Sequence, residues 1–271
     1  MRRISVSSLS ALSALSAALF VSVSLSGQTV IPAPEAGKCS LVWAGHESEI
    51  EQMLKDGKVA KLEDVPIGVT KPQRATLEGA PMRFAWKPLT PGYSKGFMES
   101  YKAEIAAYKL DRMLGMNMVP PIVERNMNGK NGAAVYWVEN TRPWSVEKPP
   151  QGPEPMWSRQ LTRMKMFDLL IANIDRNQGN LIYDSDWHLF LIDHSRAFTR
   201  KKDLKGLTPL GRVDRQLWDK MAALTIDELD RGLEKWVGDN EKKAILQRRD
   251  LMAKNIAEMI EKRGEKSVFY D

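Results

Sequence analysis

Asp175, Asn180 and Asp193 are the residues of this 271-residue chain whose types and spacing could do chemistry. Two carboxylates and an amide offer oxygen, and clustered oxygen ligands suit a hard cation such as Mg²⁺ or Mn²⁺. They fall within one stretch, Phe167 to Phe198, FDLLIANIDRNQGNLIYDSDWHLFLIDHSRAF. Phe167–Ile174 reads as the end of a helix and Asp175–Gly179 as a polar loop. Asn180–Tyr183 and His188–Asp193 read as short strands joined by the turn cluster Asp184–Trp187. If Tyr183 pairs with Phe190 in an antiparallel hairpin, Asn180 comes opposite Asp193 at its open end, and the preceding loop tethers Asp175 to the same end. Taken alone, the loop could instead be a turn whose Asp and Asn cap backbone groups, the less favoured reading. A metal-holding Asn and Asp beside a second carboxylate is also the layout that phosphoryl transfer requires.

The elements upstream decide how far that chemistry is supported. Met156 to Ile174 forms one long helix with Trp157, Leu161, Met164 and Ile171 on one side, and it delivers the Asp175 loop. Asp168 shares that stripe, either buried against the loop or at the stripe's edge. Met82 to Leu89 alternates as a strand and ends near Lys87. Met98 to Gly115 carries Ile105, Ala106, Leu110, Met113 and Leu114 on an apolar helical stripe that stops at Gly115. Glu104 lies 17 residues after Lys87. A Lys on a strand and a Glu on the next helix can form the ion pair that steadies a phosphate-binding lysine, although a helical Glu is more often solvated. Before them, a strand through Ala60–Asp64, then Gly68 and Thr70, then a return strand through Arg74–Leu77 would make a hairpin able to cover phosphates, or a plain turn. Glu47–Asp56 is a short helix stopped by Gly57. Ile122–Arg125 and Ala133–Val138 are strands joined by the turn-rich Asn126–Gly132. After Val138 the pattern changes, and from the order of elements alone Glu139–Pro143 would be a hinge, where backbone groups near Val138 to Asn140 could meet an adenine edge.

The order Asp175, Asn180 five residues on, then Asp193 at a strand end is the order of a protein-kinase site. There is no His-Arg-Asp and no Asp-Phe-Gly; Asp-Arg-Asn and Asp193-His194-Ser195 stand in their places. This wording resembles the atypical secreted kinases of the Golgi casein kinase and four-jointed type, and more distantly the phosphatidylinositol 3-/4-kinase-like and HipA-like kinases. Glu104 to Pro121, E-I-A-A-Y-K-L-D-R-M-L-G-x-x-x-V-P-P, is the most specific match. The resemblance covers Val65 to Phe198, about half the chain. It implies an α+β, bilobal protein-kinase-like fold with a small β-rich N-lobe (28–140) and a mainly helical C-lobe (141–271). It also implies ATP-dependent, metal-dependent transfer of a γ-phosphoryl group to a hydroxyl on a protein or a sugar. Asp175 would orient or deprotonate the acceptor, and Asn180 and Asp193 would hold Mg²⁺ or Mn²⁺. Lys87 would bind phosphates with Glu104 fixing it, and Gly68 and Thr70 would lie over the nucleotide. In that family the helix acid can also approach the metal. The rival expectation is an exported pseudokinase that binds nucleotide or a protein partner without turnover.

Composition bounds these readings. Hydrophobic residues at 43% and charged residues at 27% are ordinary for a globular chain. The net charge is +6; setting aside Arg2 and Arg3 leaves +4, too little to argue for nucleic acid. Arg2-Arg3, an apolar run from Ala11 to Val23, and Ser24-Leu25-Ser26 read as a signal peptide over residues 1–27. An uncleaved anchor is the alternative, weakened by the serines. Removal of that segment would give an exported protein, periplasmic or secreted, with no stable membrane span. Cys39 is the single cysteine, so no internal disulfide supports the fold, whereas the animal secreted kinases, by resemblance, use disulfides. The basic run Thr199–Gly206 reads as a solvated loop, the alternative being an activation-segment-like surface that meets an acidic substrate. Thr225-Ile226-Asp227-Glu228 reads as a capping box, and Asn240–Arg263 as a long amphipathic helix.

Overall fold

The computed structural model describes Leu41 and residues 43–65, 72–94, 96–144 and 151–270. Helix α1 (Glu47–Asp56) opens it, burying Ile50 and Leu54. Strands β1 (Val59–Asp64), β2 (Gln73–Leu77), β3 (Arg83–Lys87), β6 (Ile122–Met127) and β7 (Lys130–Tyr136) form an antiparallel sheet in the order β1-β2-β3-β7-β6. The two-residue alternation of β3 buries Phe84 and Trp86 in one core with Trp43, Ile50, Leu54 and Tyr136. Lys87 and Ala85 take the other face, where Ala85 packs with helix α2 (Tyr101–Leu114). Burying a Phe- or Leu-sized side chain in such a core contributes roughly 1.5–3 kcal/mol.

Between β3 and α2 the chain forms a hairpin of β4 (Gly92–Ser94) and β5 (Phe97–Glu99). The expected helix start at Met98 is therefore too early: 97–99 are paired strand, and Ser100, extended, caps α2 by accepting from the Lys102 N–H. At the other end Gly115 is left-handed (φ 62°) and its N–H meets the Asp111 and Arg112 carbonyls. The β6–β7 connection is shorter than its polar stretch suggests. Asn128 and Gly129 alone turn the chain, at φ 54° and 77°, the Asn-Gly signature of a two-residue hairpin.

The C-terminal half is helical. Helix α3 (Met156–Ile171) ends in left-handed Ala172. A small sheet of β8 (Arg142–Pro143), β9 (Leu181–Tyr183) and β10 (Leu189–Leu191) follows it in space. Helices α4 (Arg215–Ala223), α5 (Ile226–Leu233) and α6 (Asp239–Arg263) complete the core, and the Thr225–Glu228 capping box is formed. Arg248 of α6 is fully buried. It donates to the Leu170 carbonyl at 2.9 Å and to the Lys201 carbonyl, tying the end of α3 to the segment after Phe198. Among the described residues no helix is long and apolar enough to cross a membrane.

Candidate active site

Three residues far apart in sequence meet at the end of β3. Lys87 Nζ lies 2.7 Å from Glu104 Oε1 and 3.1 Å from Asp193 Oδ1. Backbone packing fixes the lysine: a Cβ on Gly132 of β7 would sit 2.7 Å from the Lys87 carbonyl oxygen, so only glycine fits beside it. Glu104 is 1% exposed and its second oxygen accepts the His194 N–H at 2.9 Å. Burial alone would discharge Lys87, but Glu104 and then Asp193 hold its pKa above the ordinary lysine value. The Lys87 charge in turn lowers Asp193 to about 2, against its burial, while burial raises Glu104 despite Lys87. At neutral pH the site therefore carries a cation beside an ionised Asp193, whose side chain is 33% exposed.

The hairpin register differs from the expected one. Leu189 faces Tyr183 and Phe190 faces Ile182, so the position opposite Asn180 falls to Ile192, whose N–H bonds the Asn180 carbonyl at 3.1 Å. The cause is an odd loop. Ser185, Asp186 and Trp187 turn the chain in three residues, with Trp187 left-handed at φ 66°, a common three-residue hairpin form. Asp184 stabilises it by accepting the N–H groups of Asp186 (3.0 Å) and His188 (2.8 Å). Asp193 therefore lies one residue beyond the pair and is itself left-handed, φ 60°. Such a backbone costs a non-glycine residue on the order of 1–3 kcal/mol. Asp193 nevertheless meets Lys87.

Asp175 and Asn180 meet through the loop: Asn180 Nδ2 donates to the Asp175 carbonyl at 2.8 Å. That bond uses the amide nitrogen, so the oxygen is the atom Asn180 offers a cation. Beneath the loop, Arg176 donates to both oxygens of Asp168 (2.9 and 3.0 Å) and to the carbonyls of Asn180 and Ile192 (each 2.9 Å). Its Nη2 also lies 2.8 Å from His194 Nε2. Asp168 is thus buried against the loop, and Asn173 braces it from the chain side at 2.9 Å. His194 is fully buried and packs edge-on to Phe167 at 6.0 Å. Burial, then Arg176 and Lys87, hold its pKa well below the usual imidazole value, so it stays neutral.

Gly68 and Thr70 lie outside the described residues, as do Cys39 and the N-terminal segment; β1 and β2, which flank the former pair, do pair as a hairpin. At Val138, the carbonyl accepts the Thr141 hydroxyl at 3.1 Å. Several contributors are not among the residues that the sequence marks for chemistry. Asp111 at the end of α2 accepts the N–H groups of Met118 (2.9 Å) and Val119 (3.0 Å), and burial lifts its pKa to about 7 against those bonds. The Met118 carbonyl then takes the Leu191 N–H at 2.8 Å, docking β10 onto the segment that follows α2. Glu99 and Arg196 are two more, with Arg196 Nη1 3.2 Å from Asp175 Oδ2.

Two further features stand apart from the Lys87 locus. Asp184, Asp186 and His188 bring ligand-type atoms within 4.8 Å of one another at the hairpin turn. A cavity of about 330 Å³ is lined by Trp144, Leu161, Asp168, Arg176 and Leu207 but by none of Lys87, Glu104 and Asp193.

The fold is one already seen in solved structures. A hydra Fam20 determined with sugar superposes with a TM-score of 0.67 at 18% identity, over 83% of this chain and 92% of that one. A Golgi casein kinase determined with Mn/ADP bound superposes at 0.63 with 15% identity, over 83% and 79%. No family sequence model and no curated protein sequence matches the chain. The protein therefore has a kinase-like fold of the kind seen in Fam20 and the Golgi casein kinase, as the resemblance in its motifs implies. At these identities the likeness establishes the fold, and activity has to be argued from the side chains.

Proposed function

We propose that this protein is an atypical kinase that transfers the γ-phosphoryl of ATP to a hydroxyl on a protein or a sugar. The observation that carries the reading is the Lys87–Glu104–Asp193 convergence, which brings together a strand, a helix and a post-hairpin segment otherwise distant in sequence. A solitary buried lysine would be a liability; one charged by two carboxylates and open toward Asp193 is a phosphate-binding group. Lys87 would hold the α- and β-phosphates and Glu104 would keep it extended. Asn180 and Asp193 fit a hard cation, since one offers an amide oxygen and the other an ionised, partly exposed carboxylate. Mg²⁺ or Mn²⁺ there would neutralise phosphate charge. Asp175, at the loop and 38% exposed in its side chain, would accept or orient the acceptor hydroxyl. Gly68 and Thr70 would lie over the phosphates, in a nucleotide-binding N-lobe (28–140) set on a C-lobe (141–271). The Arg2-Arg3 and apolar N-terminal run supports an exported location.

The test is thermal unfolding with ATP, with and without Mg²⁺ or Mn²⁺, beside Asp193→Ala. A ligand at 100 times its Kd adds roughly 2.7 kcal/mol. A metal-dependent rise in the wild type that disappears in Asp193→Ala is expected. Labelled ATP then separates turnover from binding, with Asp175→Ala retaining the rise and losing transfer. A rise without any transfer to protein or sugar acceptors would leave a nucleotide-binding pseudokinase, and no rise at all would remove the kinase assignment.

A further inference from the structure

The four residues from Asp193 to Arg196 each reach an element of the N-terminal half. Asp193 meets Lys87, the His194 N–H meets Glu104, and the Ser195 carbonyl takes the Ser100 N–H at 2.9 Å. Arg196 then meets Glu99 with two nitrogens on the one oxygen Oε1, Nε at 2.7 Å and Nη2 at 2.6 Å, a pair of donors on one rigid plane that lysine does not have. Its remaining nitrogen, Nη1, is the one that lies 3.2 Å from Asp175 Oδ2. The guanidinium also stacks on Phe97 of β5 at 4.6 Å. Glu99 is 6% exposed, so this pairing is shielded on the hairpin side and faces the loop on the other.

We propose that Arg196 is a positioning residue that fastens the Asp175 carboxylate to Glu99 at the end of the β4–β5 hairpin, so that the acceptor-side carboxylate and the strand leading into α2 hold one geometry. This rests on the reading of Asp175 as the residue that orients the acceptor. The consequence is specific: Asp175 is aimed by a residue that need not touch nucleotide, metal or acceptor. The exposed apolar side chains of the hairpin, Tyr93, Phe97 and Met98, thereby report on the catalytic loop through one guanidinium. A lysine at 196 keeps the charge but puts one nitrogen in place of three on a rigid plane, so it cannot reproduce Nε and Nη2 on Glu99 together with Nη1 on Asp175.

The experiment uses the full chain with Arg196→Lys and Glu99→Gln, and with Arg200→Ala as the control, since Arg200 is exposed and pairs with Glu241. Hydrogen exchange is followed in the β4–β5 hairpin and in the 173–180 loop, alongside the ATP-and-metal thermal shift and steady-state turnover. Arg196→Lys is expected to speed exchange in both segments together and to leave the nucleotide shift in place. It should also lower kcat about 10- to 100-fold with KM for ATP nearly unchanged, the scale of effect produced by a small misplacement of a reacting group. Glu99→Gln should do the same more weakly, and Arg200→Ala should do neither. Wild-type kcat in Arg196→Lys, or faster exchange in one segment without the other, overturns the proposal. If the wild type shows no turnover, the kinase reading fails on that result, and the paired exchange response still decides whether Arg196 joins the two segments.

Discussion

The two ends of the β9–β10 hairpin both gather carboxylates, and they use them in opposite ways. At the turn, Asp184 is fully buried and its oxygens are taken by its own loop: the N–H groups of Asp186 and His188, and His188 Nδ1 at 2.9 Å. At the open end, Asp193 receives the Ser195 hydroxyl locally, at 3.3 Å, and looks to Lys87 on another sheet and Glu104 on α2. Asp184 satisfies backbone donors that would otherwise be orphaned. Asp193 holds an unfavourable backbone conformation to face a distant cation. The comparison separates a carboxylate that builds a turn from one that is presented to a site, a distinction that proximity of acidic atoms alone does not make.

Removing the brace under the open end should have the largest effect. Arg176→Ala leaves Asp168 as a buried charge without its cation and removes a donor from the Asn180 and Ile192 carbonyls, so a loss of about 3–5 kcal/mol is expected, read from denaturant unfolding. A loss below about 1 kcal/mol would mean the loop holds its shape without the arginine. Next, Asp193→Ala should cost the metal-dependent nucleotide increment while unfolding cooperatively in its absence. Asp184→Ala should show the reverse, losing about 1–3 kcal/mol as buried donors go unpaired yet keeping the nucleotide increment. If Asp184→Ala abolished that increment and Asp193→Ala spared it, the turn cluster would be the cation site and the comparison would be inverted.

The uneven legibility of the site has physical reasons. Lys87 and Glu104 can be paired from the sequence because a two-residue period ends at one and a helical stripe places the other. Asp175, Asn180 and Asp193 can be grouped because a hairpin must return its ends together. The register cannot be read the same way. Whether Asp184–Trp187 turns in two residues or three depends on Asp184 bonding two backbone N–H groups and on Trp187 accepting φ 66°, which no propensity states. Glu99 is hidden because Met98–Ser100 sits against a strong helical pattern, yet pairs as strand up to the Ser100 cap. Arg196 is hidden because nothing in its neighbours marks a guanidinium that crosses from Glu99 to Asp175. Asp168 stands between these cases: its place on an apolar stripe flags it, and only the Arg176 contact decides that it is buried for the loop's sake.

The smallest expected effect sharpens the same comparison through pH. At the turn, the Asp184 hydrogen bond raises the His188 pKa against partial burial, with Asp186 adding to the pull. A folded pKa above the unfolded value of about 6.5 gives stability that is fully present below that value and is lost as pH rises through the folded pKa. At the open end, buried His194 has the opposite displacement, so its contribution is present above about 6.5 and is lost as pH falls below it. The metal-free protein should therefore lose melting temperature on both sides of neutrality, for different reasons at the two ends. His188→Gln should flatten the alkaline side above about pH 6.5 and leave the acid side as it was. An unchanged alkaline slope in His188→Gln would show that the Asp184–His188 contact adds no proton-linked stability, leaving Asp184 to act on the turn through its backbone bonds alone.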